Sequence, residues 1–258
     1  MPMMGKRRKA NNLGATARKR ARLALVRSGK KKKKKKASSE AAAAKLPVYL
    51  VVEHAVEQPT HSILEVAAGA APRRLVDGER GMSFAAVGTR IVGLGPGRTI
   101  VYDPKISKEV RAPRLAYPMM HPVLIPHGSK LYALSRRPSI VQGTDFMPWF
   151  FVLDDLDAWI HLPPPPVFPC RINPLEYRDR PEIRVVSYAL VGSHILLSVQ
   201  QDKGTGTCAF DVDAEEWAMV DDKNLPFIGQ AVPLGGGRRF VACSNAKGGE
   251  PAVYSVRH

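Results

Sequence analysis

The stretch GSHILLSVQQDKGTGTCAFDVDAEEWAMVDDKNLP, residues 192–226, decides the fold. It opens on Gly192, followed by Ser193, His194 and the apolar run Ile195-Leu-Leu. A second apolar run, Cys208-Ala-Phe, closes on Asp211. Trp217 lies six residues beyond that acid, and Pro226 ends the unit. The same order occurs twice more upstream. Gly128-Ser-Lys-Leu-Tyr-Ala is followed by Phe150-Phe-Val-Leu-Asp154, then Trp159 and Pro163 to Pro166. Gly88-Thr-Arg-Ile-Val-Gly is followed by Ile100-Val-Tyr-Asp103, with Val110 where the tryptophan would stand, then Pro113. Gly237-Arg-Arg-Phe-Val-Ala is a weaker fourth copy. The glycines start 40, 64 and 45 residues apart.

Working outward, the rest of the chain after Pro47 has the same grammar. Runs of four to seven Val, Ile, Leu, Tyr and Phe are punctuated by Gly, Pro and Asp, and no stretch holds an apolar period of 3.6, so an all-β fold is expected. Strands are expected at Tyr49 to Glu53, Ser62 to Val66, Ser83 to Val87, Arg90 to Leu94, Thr99 to Tyr102, Pro122 to Ile125, Lys130 to Leu134, Trp149 to Leu153, Ile183 to Leu190, His194 to Val199, Thr207 to Asp211, Glu216 to Val220, Gln230 to Pro233, Arg239 to Cys243 and Ala252 to Val256. Within each unit Gly88, Gly128 or Gly192 supplies a tight turn. Asp103, Asp154 or Asp211 ties the next turn through its own side chain, Trp159 or Trp217 covers the seam to a neighbouring unit, and the prolines mark strand-free crossings.

An apolar strand ending in Tyr- or Phe-x-Asp, then Trp, then Leu-Pro resembles the kelch repeat. Residues from about Tyr49 to His258 are similar to the kelch-like propellers of plants, some of which carry an F-box; none is present here. The paired glycines of a full kelch unit are missing after Val92, Tyr132, Leu196 and Val241, so the resemblance is kelch-like. It implies a kelch-like β-propeller over residues 47–258 that binds other proteins through its loops, and it supplies no ligand residues by position. The count gives four to five blades, fewer than the usual six or seven. Either a small ring closes or the array is incomplete at its C-terminal end; the incomplete form, with an exposed sheet edge, is the expectation.

Residues 1–46 are of another kind. The chain carries a net charge of +16, but the first 45 residues hold 17 of the 39 basic groups and one of the 23 acids, leaving 22 of each elsewhere. With few large apolar side chains beyond Leu13, Leu23, Leu25 and Val26, this tail is expected to be disordered, or at most a transient basic helix on an anionic surface. Lys6, Arg7, Arg8 and Lys9, then Arg18, Lys19, Arg20 and Arg22, form two clusters that look like a bipartite nuclear localisation signal. Such clusters attract import receptors and phosphate backbones alike. Nuclear residence is the expectation, with cytoplasm or an organelle addressed by a transit peptide as the alternatives.

Other chemistry finds little support. No run reaches the roughly 18 apolar residues of a membrane span. Gly93-x-Gly95-x-Gly97 leads into a strand instead of a helix, so it reads as a hairpin turn and not a phosphate loop; Lys203-Gly204-Thr-Gly206 reads likewise. Cys170, Cys208 and Cys243 lack zinc-ligand spacing, and the Asp residues near 154, 211 and 221 lack a calcium pattern. Some kelch-type propellers are copper radical oxidases; His54, His61, His121, His127, His161, His194 and His258 with Cys208 and Cys243 give the residue types but no cluster. No cofactor, no metal and no enzymatic activity are expected.

Two roles follow. The first is a protein-interaction scaffold whose longest loops, Arg136 to Phe146 and Leu162 to Arg180, meet an unidentified protein partner. The second is a nucleic-acid- or ribosome-associated protein that binds through its tail; a copper oxidase is a distant third.

Overall fold

Short β-branched and aromatic runs separated by turn residues become strands because each is too short for a helix and has apolar side chains on one or both faces. The computed structural model describes residues 48–54, 61–137, 140–141, 145–146, 148–167, 183–200, 206–235 and 239–255. The two basic clusters, Gly237 and most of the Leu162 to Arg180 crossing lie outside these. No helix occurs among the described residues.

Five antiparallel meanders follow one another along the chain. The first holds β1 (Val48–Glu53), β2 (His61–Val66) and β3 (Arg73–Gly78). The second holds β4 (Ser83–Val87), β5 (Arg90–Leu94), β6 (Thr99–Asp103) and β7 (Lys108–Val110). In the third, β8 (Val123–His127) and β9 (Lys130–Leu134) are separated from β12 (Phe150–Asp154) and β13 (Ala158–Leu162) by a small hairpin, β10 (Ile140–Val141) with β11 (Asp145–Phe146). The fourth is β14 (Arg184–Val191), β15 (His194–Gln200), β16 (Thr207–Asp211) and β17 (Glu216–Asp221). The fifth is β18 (Phe227–Pro233), β19 (Arg239–Ser244) and β20 (Pro251–Ser255).

The strands expected from sequence are all present, with ends displaced by a few residues. Five more, β3, β7, β10, β11 and β13, escape the sequence reading because charged residues or very short length dilute their apolar pattern. The loop Arg136 to Phe146 is therefore not wholly irregular, and Trp159 sits inside a strand.

Each of the first four meanders packs face to face on the next, and apolar contacts continue into the fifth. Ile63 and Val76 of the first meet Ile91, Ile100 and Tyr102 of the second. Val92 and Val101 meet Leu124, Leu131, Phe151 and Leu153 of the third. Phe150 and Val152, on the other face of β12, meet Ile195, Leu197 and Phe210 of the fourth. Ala189 then meets Phe227, Ala231 and Phe240 of the fifth. Inner meanders thus bury both faces, and β6 and β12 read as continuous apolar runs. Of the outer ones, β20 alternates, and Val48, Leu50 and Val253 are left about half exposed or more.

The last two meanders join edge to edge. Gly229, Gln230 and Ala231 leave the β19 ladder, which breaks between Ile228 and Val232, and pair in parallel with Ser187, Tyr188 and Ala189 of β14. Positive φ at Gly229 permits that bulge. No strand pairing joins the first meander to the fifth among the described residues, so the sheets do not close.

Candidate functional site

The topology sorts the connections into two ends. First and second strands of the middle meanders are joined by two-residue turns, Gly88-Thr89, Gly128-Ser129 and Gly192-Ser193. In each, the glycine has φ near +60° and the next residue does not, the pattern of a type II′ hairpin turn. Third and fourth strands are joined at the same end by turns of three or four residues. The longer connections lie at the opposite end.

The tight-turn end holds the repeat acids. Asp103 Oδ1 accepts the Lys105 backbone N–H at 2.9 Å and its Oδ2 meets Arg90 Nε at 3.1 Å. Asp211 Oδ1 accepts the N–H groups of Asp213 and Ala214 at 2.8 and 3.1 Å, with His194 Nε2 at 3.5 Å from Oδ2. Asp154 takes a shorter turn and meets Lys130 Nζ at 3.9 Å. Each acid therefore faces the basic residue two positions past the repeat glycine, a cross-strand pairing. The Lys105 N–H and then Arg90 hold Asp103 below the usual carboxylate range, and the Ala214 and Asp213 N–H groups do the same for Asp211. Gly88, Thr89, Arg90, Asp103, Lys105, Ser129, Asp155 and Leu156 border an open cleft of about 260 Å³ at this end.

The tryptophans tie meanders together. Trp159 Nε1 donates to Thr99 Oγ1 of the second meander at 3.1 Å. Trp217 Nε1 donates to Pro163 O of the third at 2.9 Å, with its ring 5.3 Å from Phe150 and 5.1 Å from Phe210.

At the end with the longer connections lies a second cleft of about 270 Å³ to which all five meanders contribute. Val51 and His61 come from the first, Ser83 and Phe84 from the second, Leu124 and Arg136 from the third, Tyr188 from the fourth and Gln230 from the fifth. Its walls are stitched by hydrogen bonds that tie the meanders to the connections between them. His61 Nδ1 donates to Glu79 O at 3.0 Å, His121 N to Gly81 O at 2.6 Å, Arg136 Nε to His121 O at 2.9 Å and Val185 N to Arg136 O at 3.0 Å. Burial pushes the Tyr188 hydroxyl up, and the neighbouring Arg136 guanidinium opposes that rise. The lining combines an apolar wall with the polar groups of His61, Arg136, Tyr188 and Gln230, a surface that suits a side chain rich in acceptors.

Neither cleft assembles a metal site: among the described residues no three His, Cys, Asp or Glu gather to hold an ion. Cys208 is buried on β16, where burial pushes its thiol up to about 12, while Cys243 is exposed on β19. Among the described residues no helix is long and apolar enough to cross a membrane.

A family described as "Protein of unknown function (DUF1668)" matches residues 17–257. The chain belongs to that family. The DUF1668 span takes in all five meanders, and it begins inside the basic tail, so that Arg18 to Arg22 fall within it and Lys6 to Lys9 outside. A search of the curated proteins finds no match.

Proposed function

We propose that this DUF1668 chain is a non-enzymatic binding scaffold, a kelch-like and open propeller whose five meanders are its blades, and that its partner is another protein. The observation that carries this reading is the cleft shared by all five meanders. In propellers the blades surround a central channel, and a rigid array with its longer loops gathered around such an opening is a common binding design. Arg136, the first residue of the inserted loop, lines the cleft. The basic tail serves as a nuclear address, its two clusters being read by an import receptor.

The test places a photo-crosslinking residue at Gln230, in the cleft, or at Lys105, at the tight-turn end. A partner protein should be captured from Gln230 alone, and capture should survive deletion of residues 1–45 while nuclear accumulation is lost. Capture confined to Lys105 would contradict the reading.

The charge of residues 1–45 favours a second reading, an RNA- or DNA-associated protein that binds through its tail. In that case the same deletion abolishes a salt-sensitive nucleic-acid interaction.

A further inference from the structure

Arg136, in the wall of the cleft, is held in place by the protein itself. Its Nε–H donates to His121 O at 2.9 Å, its own carbonyl accepts the Val185 N–H at 3.0 Å, and its guanidinium neighbours the Tyr188 hydroxyl. The His121 acceptor is fixed in turn. His121 N donates to Gly81 O, and its φ of 47° is the left-handed conformation that residues other than glycine adopt infrequently. The connections into the second and third meanders, together with β14, thus set one guanidinium at the cleft. An arginine positioned in advance loses little further freedom when it binds.

A guanidinium donates through all its nitrogens and accepts nothing, so with Nε–H on His121 O its two terminal nitrogens still carry N–H groups. That planar fork matches a carboxylate held by two parallel hydrogen bonds. No Asp or Glu belongs to the described lining. Among the described residues no carboxylate forms an ion pair with Arg136, and the acids on the approach to β4, Asp77 and Glu79, pair with Arg74 and Arg98 instead. Ser83, Tyr188 and Gln230 add neutral donors. The same lining decides between anions. A phosphate brings a charge of about −1.5 to −2 and is met by clustered arginines, whereas one guanidinium balances one carboxylate. The cleft volume of about 270 Å³ falls below the range of about 300–1,000 Å³ for small-molecule sites, which leaves room for one or two amino-acid side chains. Val51, Met82, Phe84, Pro122 and Leu124 supply an apolar wall. A chain terminus would carry its last peptide N–H groups against that wall unpaired, while an acidic side chain brings only methylenes and its carboxylate.

We infer that the cleft receives an Asp or Glu side chain of the protein partner, its carboxylate forked on the Arg136 guanidinium and its methylenes against the apolar wall. This rests on the cleft-binding reading and adds to it the chemistry of the group that enters.

The full chain, labelled with carbon-13 in its methionine methyl groups, is titrated by nuclear magnetic resonance with three end-blocked tripeptides, Leu-Glu-Leu, Leu-Gln-Leu and Leu-phosphoserine-Leu. Met82 lies in the cleft wall and reports binding, while Met219, exposed on β17, is the control. The Glu peptide should shift Met82 and not Met219, with an affinity about tenfold or more above that of the Gln peptide. Arg136→Gln should abolish this preference, and Arg136→Lys, which keeps the charge without the fork, should restore part of it. Equal affinity for the Glu and Gln peptides, or no shift of Met82 with either, overturns the inference in the wild-type chain without recourse to any variant. So does tighter binding of the phosphoserine peptide, which would make this a phosphate site, or a preference that survives Arg136→Gln. Crosslinking at Gln230 keeps the two readings apart: a partner captured equally by the wild-type chain and by Arg136→Gln leaves the cleft a binding surface and overturns only its preference for a carboxylate.

Discussion

Trp217 shows how one side chain joins two sheets. Its ring packs between Phe150 and Phe210, and its indole N–H ends on Pro163 O across the seam. Trp217→Phe keeps most of the apolar contact and removes the hydrogen bond, so it should cost about 1 kcal/mol in urea unfolding. A loss within error would show that the bond contributes nothing net. Glycine at Gly93 has a different physical basis from the turn glycines: a Cβ there would meet Phe84 Cε1 at 2.5 Å, and at Gly97 it would meet Glu79 Oε2 at 2.5 Å. The spaced glycines of 93–97 therefore make room for side chains of the segment that enters the second meander. Gly93→Ala should cost about 1–3 kcal/mol by overpacking. Gly88→Ala meets no atom within 4 Å and should lose only the conformational advantage of positive φ, about 1–2 kcal/mol, with the Phe84 packing intact. Near-ultraviolet circular dichroism separates the two, since the Phe84 environment changes only in the first.

At the scale of the element, the hairpin acids give acid sensitivity a definite sign. Asp103 and Asp211 titrate below their unfolded value because backbone N–H groups bond the charged form, aided at Asp103 by Arg90. A carboxylate whose folded pKa is depressed stabilises the fold fully above its unfolded pKa of about 3.9, and that contribution is lost as pH falls through the lower folded value. Thermal midpoints should therefore fall below about pH 4. Asp211→Asn, which keeps a turn-forming side chain but cannot ionise, should shallow that fall; an unchanged slope would remove Asp211 from the cause. These turns were legible in sequence because the glycine, the acid and the tryptophan recur in fixed order. The partner of the acid was not, since Arg90, Lys130 and His194 are three different side chains with no common identity to mark the position. The strands β3 and β13 were hidden for a related reason: Arg73, Arg74 and Asp77, or Ala158 and His161, break the apolar run, and only pairing with a neighbour makes them strands.

Over the whole molecule, series position governs burial. β12 is apolar at successive positions because Phe151 and Leu153 face the second meander while Phe150 and Val152 face the fourth. β20 alternates because one of its faces has no neighbour among the described residues. The sequence therefore announces which units are internal, but not the cleft: His61, Arg136, Tyr188 and Gln230 come from four different meanders, and no local spacing connects them. The account depends on those meanders standing around a common opening and not in a row. Two spin labels test this, at Val51→Cys and Gln230→Cys on a chain whose Cys170, Cys208 and Cys243 are replaced by alanine, with the distance read by double electron–electron resonance. Five sheets in a row at about 10 Å spacing would hold the outermost pair about 40 Å apart, whereas two residues lining one cleft should give a single distribution centred below about 25 Å with label arms included. A distribution near 40 Å would contradict the account.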